Sequence, residues 1–161
     1  MKPRIQFYSD CPSFAGCENM LVVLLGDKEL RLQYEISFTY RYSPAYEAGL
    51  VTRMPVAINI SSLRMLDLPS QMERIRWRPL RTTARAVAFV LLVRYWCLLW
   101  NTAVLYRAWG KSDSKIDVLH INNGCYPGAR SCISAVLAAR LSDRICCQQP
   151  CSPVYLVSAI V

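Results

Sequence analysis

Histidine is almost absent from this 161-residue sequence, where His120 is the only one, and the eight cysteines include no Cys-x-x-Cys pair. A zinc site needs four ligands at converging short spacings, so the sequence predicts no metal site. Acidic residues are also scarce, with 11 Asp and Glu against 19 Lys and Arg. No paired carboxylates converge and no Ser-His-Asp or Cys-His arrangement is recognisable, so no catalytic residue is assigned from the residues alone.

The N-terminus lacks the apolar run and the small-residue cleavage site of a signal peptide. We therefore expect a cytoplasmic chain whose thiols remain reduced, with most cysteines acting as small buried apolar residues. Hydrophobic residues make up 53% of the chain and charged residues 19%. This composition excludes a disordered chain and fits a buried sheet covered by helices.

The net charge of +8 is concentrated between residues 64 and 111, where nine basic residues face two acidic ones. Such a stretch can contact nucleic acid, an anionic membrane surface or a phosphorylated substrate. No helix pairs regular basic spacing with an exposed aromatic platform, so we do not expect nucleic-acid binding. Contact with a membrane surface is expected to involve Arg74, Arg76, Arg78, Arg81 and Arg85.

Strand and helix patterns alternate along the chain, which favours parallel strands joined by right-handed crossovers. The predicted fold is an α/β, Rossmann-like parallel sheet with helices on both faces, spanning residues 1–141. The predicted strands are 4–9, 34–42, 56–60 and 116–121, and the predicted helices are 17–25, 45–53, 80–109 and 129–141. Residues 61–79 are expected to be irregular.

Residues 142–161 depart from this pattern because they contain three of the eight cysteines and two of the nine prolines. We interpret them as an atypical tail, out of frame with the rest, so that the fold would be incomplete at its C-terminus. The alternative is a loop followed by a late edge strand over 154–161.

The most hydrophobic stretch, residues 86–109, is long enough to span a bilayer. Arg94 and Asn101 oppose spanning, and a span would separate the fourth strand from the other three. We expect a crossover helix that is apolar nearly all round and packs on the sheet and a neighbour. The next alternative is a helix in the membrane interface, with Trp96, Trp100, Tyr106 and Trp109 at headgroup level.

Two turns that follow strands carry the candidate binding residues, because open parallel sheets bind ligands beyond the carboxyl ends of their strands. Gly16 permits close approach of a ligand to the start of a helix, and Glu18 lies in the first helical turn. The second turn offers Asn122, Asn123 and Gly124. Each residue also has a plain structural role as a helix cap, dipole partner or turn former.

The segments Phe7-Tyr8-Ser9-Asp10 and Ala15-Gly16-Cys17-Glu18-Asn19 together resemble the opening of the family 4 glycosyltransferases, which have a Gly-Gly-x-Glu turn. The segment from Ile116 to Asn122 is similar to a later strand of that family, often written Asp-x-x-His-x-His. The resemblance covers roughly residues 3–141. It departs from the family where Ala15 replaces the first glycine and Asn122 replaces the second histidine.

The resemblance implies the N-terminal, acceptor-side half of a GT-B fold, in which two Rossmann-like domains face each other across a cleft. The implied activity is transfer of a sugar from a nucleotide-sugar, as substrate rather than cofactor, to a saccharide or lipid-linked acceptor. Gly16 would approach the donor phosphates or the acceptor. We expect the C-terminal donor domain to be absent and this chain alone to be inactive. The alternative is a non-catalytic α/β protein, peripheral at the inner membrane face or partner-binding, built around the long helix.

Overall fold

The computed structural model describes residues 2–14, 16–54, 58–66, 83, 87, 92–110, 115–122 and 130–142. In this part of the chain the elements are β1 (Arg4–Ser9), α1 (Gly16–Gly26), α2 (Lys28–Gln33), β2 (Glu35–Arg41), α3 (Pro44–Arg53), β3 (Asn59–Leu63), α4 (Val93–Gly110), β4 (Val118–Asn122) and α5 (Arg130–Leu141). The strands form one sheet of order β3-β2-β1-β4, and every pair in it is parallel. The predicted Rossmann-like α/β class is confirmed.

Both faces of the sheet are covered, as expected for a parallel sheet. On one face Phe7 and Phe38 pack in a core cluster with Leu21 and Leu25 of α1 and with Tyr46 of α3. The opposite face carries a second cluster, which contains Tyr8, Leu119, Leu105, Trp109 and Ala135. Because burial of a Leu or Phe side chain contributes about 1.5–3 kcal/mol, these two clusters hold the helices against the sheet.

The strand β3 corrects the sequence prediction, which placed it at 56–60 and treated the residues after it as irregular. In the structure β3 is Asn59–Leu63, and it lies at the edge of the sheet. The strand was misplaced because its residues are polar, like those of its neighbour β2 on the same face. The Ser61 hydroxyl lies 2.8 Å from the Thr39 hydroxyl in a hydrogen bond between the two strands.

The short helix α2 was not predicted, although the sequence contains its start signal. Asp27 accepts a hydrogen bond from the backbone N–H of Leu30 at 2.7 Å, which caps the helix. An aspartate in front of a run of good helix formers is a recognised N-terminal signal. The helix predicted to begin at residue 80 is described only from Val93, and the other described boundaries lie within two residues of the predicted ones.

The helix α4 packs on the sheet and on α5 as expected, but its opposite face is exposed although the helix is apolar nearly all round. Leu105 and Trp109 are buried against the sheet and α5, whereas Tyr95, Trp96 and Trp100 are exposed. Trp109 therefore does not lie on the exposed face where the interfacial interpretation placed it. No helix among the described residues is long and apolar enough to cross a membrane.

Two other expectations fall outside the described residues. These are the basic cluster of Arg74, Arg76, Arg78, Arg81 and Arg85 and the tail after residue 142.

Candidate functional site at the carboxyl edge of the sheet

The carboxylate of Glu18 lies at the carboxyl edge of the sheet and is completely buried. Its Oε1 accepts hydrogen bonds from the Ser9 hydroxyl and the Asn122 amide, both at 2.9 Å. Its Oε2 accepts a hydrogen bond from the Tyr46 hydroxyl at 2.5 Å. We call Ser9, Glu18, Tyr46 and Asn122 the Glu18 network. It joins the ends of β1 and β4 to helices α1 and α3.

Two features of the Glu18 network determine its electrostatics. Burial, together with the negative charge of Glu18, raises the pKa of the Tyr46 hydroxyl, so Tyr46 stays protonated and donates to the carboxylate. In the described part of the chain, Arg41 forms an ion pair with Asp10. No basic side chain in that part forms an ion pair with Glu18. The carboxylate is thus stabilised by neutral donors alone.

Asp10 follows β1 directly and ties its end to the start of α5. Its Oδ2 accepts a hydrogen bond from the backbone N–H of Ser131 at 2.9 Å, and its Oδ1 lies 3.5 Å from the Arg41 guanidinium. Burial raises the pKa of the Asp10 carboxyl, although the Ser131 hydrogen bond and the Arg41 charge oppose that effect. The N-terminus of α5 is therefore occupied by a side chain of this protein.

The N-terminus of α1 is open by comparison. Gly16 is exposed, a Cβ built on it would meet no atom within 4 Å, and its φ lies outside the left-handed region. Neither packing nor backbone conformation thus requires glycine at this position. A ligand at the carboxyl edge could approach the backbone here.

Cys11 and Cys17 lie on either side of the turn between β1 and α1, and their sulfur atoms are 4.0 Å apart. The Cys17 sulfur is 3.9 Å from Glu18 Oε1, so the thiol pair borders the Glu18 network. Burial and the neighbouring Glu18 carboxylate raise the pKa of the Cys11 thiol. Sequence spacing did not single out these two cysteines, because their convergence depends on how the turn folds back.

The structure brings Glu18 and Asn122 into contact and places Gly16 at the start of the same helix. Asn123 and Gly124 lie outside the described residues. Sequence reasoning missed Ser9 and Tyr46 as partners of Glu18. For Ser9 a signal exists, since a polar residue at the end of a buried strand falls at the carboxyl edge. Nothing in the sequence around Tyr46 indicates that its hydroxyl would contact Glu18.

His120 lies on β4, is half-buried and packs its ring against Phe7, with the ring centroids 5.0 Å apart. Burial lowers the pKa of His120 below its usual value. The His120 side chain therefore takes part in the packing between β1 and β4.

A polar cavity of about 280 Å³ lies away from the carboxyl edge, on the face of the sheet that α4 covers. Gln6 and Ser37 in its wall are hydrogen-bonded to each other at 2.7 Å, and Gln6 also donates to Thr39 at 3.0 Å. The indole N–H of the buried Trp109 has no partner among the described residues. Apart from this indole, the polar side chains Gln6, Ser37 and Thr39 of the cavity wall form hydrogen bonds with one another.

In comparisons with known proteins, no protein-family model matches the chain and no curated protein is significantly similar to it. The fold and the site therefore define the class of the protein, which is a Rossmann-like α/β domain with a polar carboxyl edge.

Proposed function

We propose that this chain is the acceptor-side domain of a glycosyltransferase that moves a sugar from a nucleotide-sugar to a saccharide or lipid-linked acceptor. The observation that supports this most is the 2.9 Å hydrogen bond between Asn122 and Glu18, which are 104 residues apart. They belong to the two segments that resemble the family 4 glycosyltransferases. Their contact gives those segments a common location at the carboxyl edge.

The topology supports a ligand site at that edge. The chain leaves β1 for helices on one face of the sheet, and it reaches β4 from α4 on the other face. The carboxyl ends of β1 and β4 therefore flank a topological switch point, where open parallel sheets bind their ligands. The open N-terminus of α1 can donate backbone N–H groups to a phosphate or a sugar hydroxyl there.

The roles of the two helix residues differ. Glu18 is fully buried, so it positions the strand ends and does not touch a substrate. Gly16 is exposed and lets a ligand approach the helix. Asn122 has its amide committed to Glu18, which makes it a positioning residue as well.

Ligand-observed NMR with nucleotide-sugars, nucleoside diphosphates and oligosaccharides tests this proposal. We expect binding by the natural chain and loss of binding in Gly16→Trp. Gly110→Trp is the matched control, because Gly110 is also a terminal residue of a helix and a Cβ there meets no atom within 4 Å. Absence of binding to every ligand class, or equal binding by Gly16→Trp, would contradict the proposal.

A second candidate function, peripheral binding to an anionic membrane, is favoured by the exposed face of α4. Tyr95, Trp96, Leu99, Trp100 and Tyr106 are each at least 45% exposed along this helix. Trp96 and Trp100 lie against each other, with ring centroids 6.2 Å apart. Exposed aromatic residues on a helix of a basic protein suit the boundary between headgroups and acyl chains.

Co-sedimentation with vesicles tests membrane binding independently of the proposed glycosyltransferase function. We expect binding to vesicles rich in phosphatidylglycerol, weaker binding to phosphatidylcholine alone, and loss of binding in Trp96→Ser/Trp100→Ser. Val23→Ser/Leu32→Ser is the matched control, since both residues are exposed and apolar but lie on α1 and α2. Equal loss in both double variants would show that α4 is not the membrane surface.

A further inference from the structure

We propose that Cys11, Cys17 and Glu18 form a binding site for a thiophilic divalent cation of the Zn²⁺ type. One ligand atom from each residue lies within 4.8 Å of the other two. The proposal does not depend on the glycosyltransferase function, because it concerns the turn after β1 and needs no sugar or nucleotide.

The separations between the side-chain atoms fit ligands around one ion. With Zn–S near 2.3 Å and tetrahedral angles, two sulfur ligands are about 3.8 Å apart, and a sulfur and an oxygen ligand about 3.5 Å. The structure has 4.0 Å between the Cys11 and Cys17 sulfurs and 3.9 Å between the Cys17 sulfur and Glu18 Oε1. Small side-chain rotations therefore suffice to bind the cation, and the fourth position is left for water.

The charge of Glu18 gives an independent reason for a cation. A fully buried carboxylate is costly unless a positive charge compensates it. No basic side chain among the described residues pairs with Glu18, and its donors, which are Ser9, Tyr46, Asn122 and the Cys17 thiol, are neutral. A divalent cation next to Oε1 would supply the missing compensation, and Oε2 would keep its bond to Tyr46.

The cysteines are suited to coordination once the cation arrives. Binding converts two thiols to thiolates, forms two metal–sulfur bonds and releases two protons to the buffer, so no oxidant or reductant is needed. Cys17 is half-buried and Gly16 is exposed, which gives the cation a route from solvent.

Cadmium titration of the metal-free, fully reduced chain tests the site through the ultraviolet cadmium–thiolate absorption, with Zn²⁺ affinity then measured by competition. The parent protein carries serine in place of Cys125, Cys146, Cys147 and Cys151, so that thiols outside the described residues do not contribute. We expect one bound ion in the parent. Cys11→Ser and Cys17→Ser should each lower the cation affinity about 100-fold or more. Loss of a group that only hydrogen-bonds a metal ligand already lowers metal affinity roughly 10–100-fold, and these residues are the ligands themselves.

Cys97→Ser is the matched control, because Cys97 is also a cysteine with a buried side chain but lies on α4. The Cys97→Ser variant should bind the cation with the same affinity as the parent protein. Glu18→Gln should weaken binding while the absorption per bound ion stays the same, since both thiolates remain. Circular dichroism confirms that each variant is folded, and a serine variant that is not folded is replaced by the alanine variant at the same position. Absence of binding to the parent, or unchanged affinity in Cys17→Ser or Glu18→Gln, would overturn the proposal.

Discussion

Substitutions of Glu18 should separate the contribution of its hydrogen bonds from that of its charge. Glu18→Ala leaves the donors of Ser9, Tyr46 and Asn122 without an acceptor in a fully buried site. Each unsatisfied buried group costs about 1–3 kcal/mol, and the cavity adds to that cost. We expect a loss of about 3–5 kcal/mol in the free energy of unfolding after some relaxation.

Glu18→Gln should cost far less. The amide oxygen can keep the bonds from Ser9 and Asn122, and the amide nitrogen can donate to the Tyr46 oxygen if that hydroxyl turns. Exchanging charge-assisted bonds for neutral ones loses about 1 kcal/mol each, but removing a buried charge recovers a desolvation cost of several kcal/mol. We expect stability within about 2 kcal/mol of the natural chain in the metal-free protein.

Urea unfolding monitored by circular dichroism measures both changes. Glu29→Ala and Glu29→Gln are matched controls, because Glu29 also lies in the first turn of a helix but is exposed. They should change stability by no more than about 0.5 kcal/mol. If Glu18→Gln proves as damaging as Glu18→Ala in the metal-free protein, the argument that hydrogen bonds dominate over charge is refuted.

Three further predictions concern packing, pH and a buried amide. Gly49→Ala should lower the free energy of unfolding by about 1–3 kcal/mol in urea denaturation, because the new Cβ would lie 2.4 Å from the Phe14 Cβ. Burial lowers the pKa of His120 below its usual 6.5, so the unfolded chain binds the proton first. The contribution of His120 to stability should therefore fall as the pH drops from about 6.5 towards the folded-state pKa, as measured by thermal unfolding across pH. Asn101→Ala should cost about 2–4 kcal/mol in urea denaturation, since its side chain both accepts from and donates to the Leu66 backbone at 2.9 Å.

Each of these predictions has a control. Gly110→Ala should cause no loss, because its Cβ meets no atom within 4 Å, and a loss equal to that of Gly49→Ala would contradict the steric argument. His120→Phe should abolish that part of the pH dependence, and an unchanged profile would exclude His120 as its source. Ala103→Ser, on the exposed side of α4, should be nearly neutral, so an equal cost there would point to a general effect on the helix.

The sequence alone was sufficient for the class of fold and for most element positions. The β-favouring residues of β1, the apolar run of α1 that Gly26 closes and the Ser43-Pro44 start of α3 are local signals, and local backbone preferences follow from them. Alternation of strands with helices then implied parallel pairing, because right-handed crossovers permit little else. The polar strand β3 was misplaced because its residues satisfy each other across strands, which a local pattern does not reveal.

The sequence also placed Gly16, Glu18 and Asn122 in segments that follow strands, but only the tertiary structure decided which side chains they contact. Strand order places β4 next to β1, and that adjacency puts Asn122 on Glu18 across 104 residues of chain. The same packing buries Glu18 completely and joins it by hydrogen bonds to β1, β4 and α3. Convergence of Cys11 and Cys17 likewise depends on how the turn closes over the sheet. Burial and side-chain proximity arise from the whole fold, so no local pattern contains them.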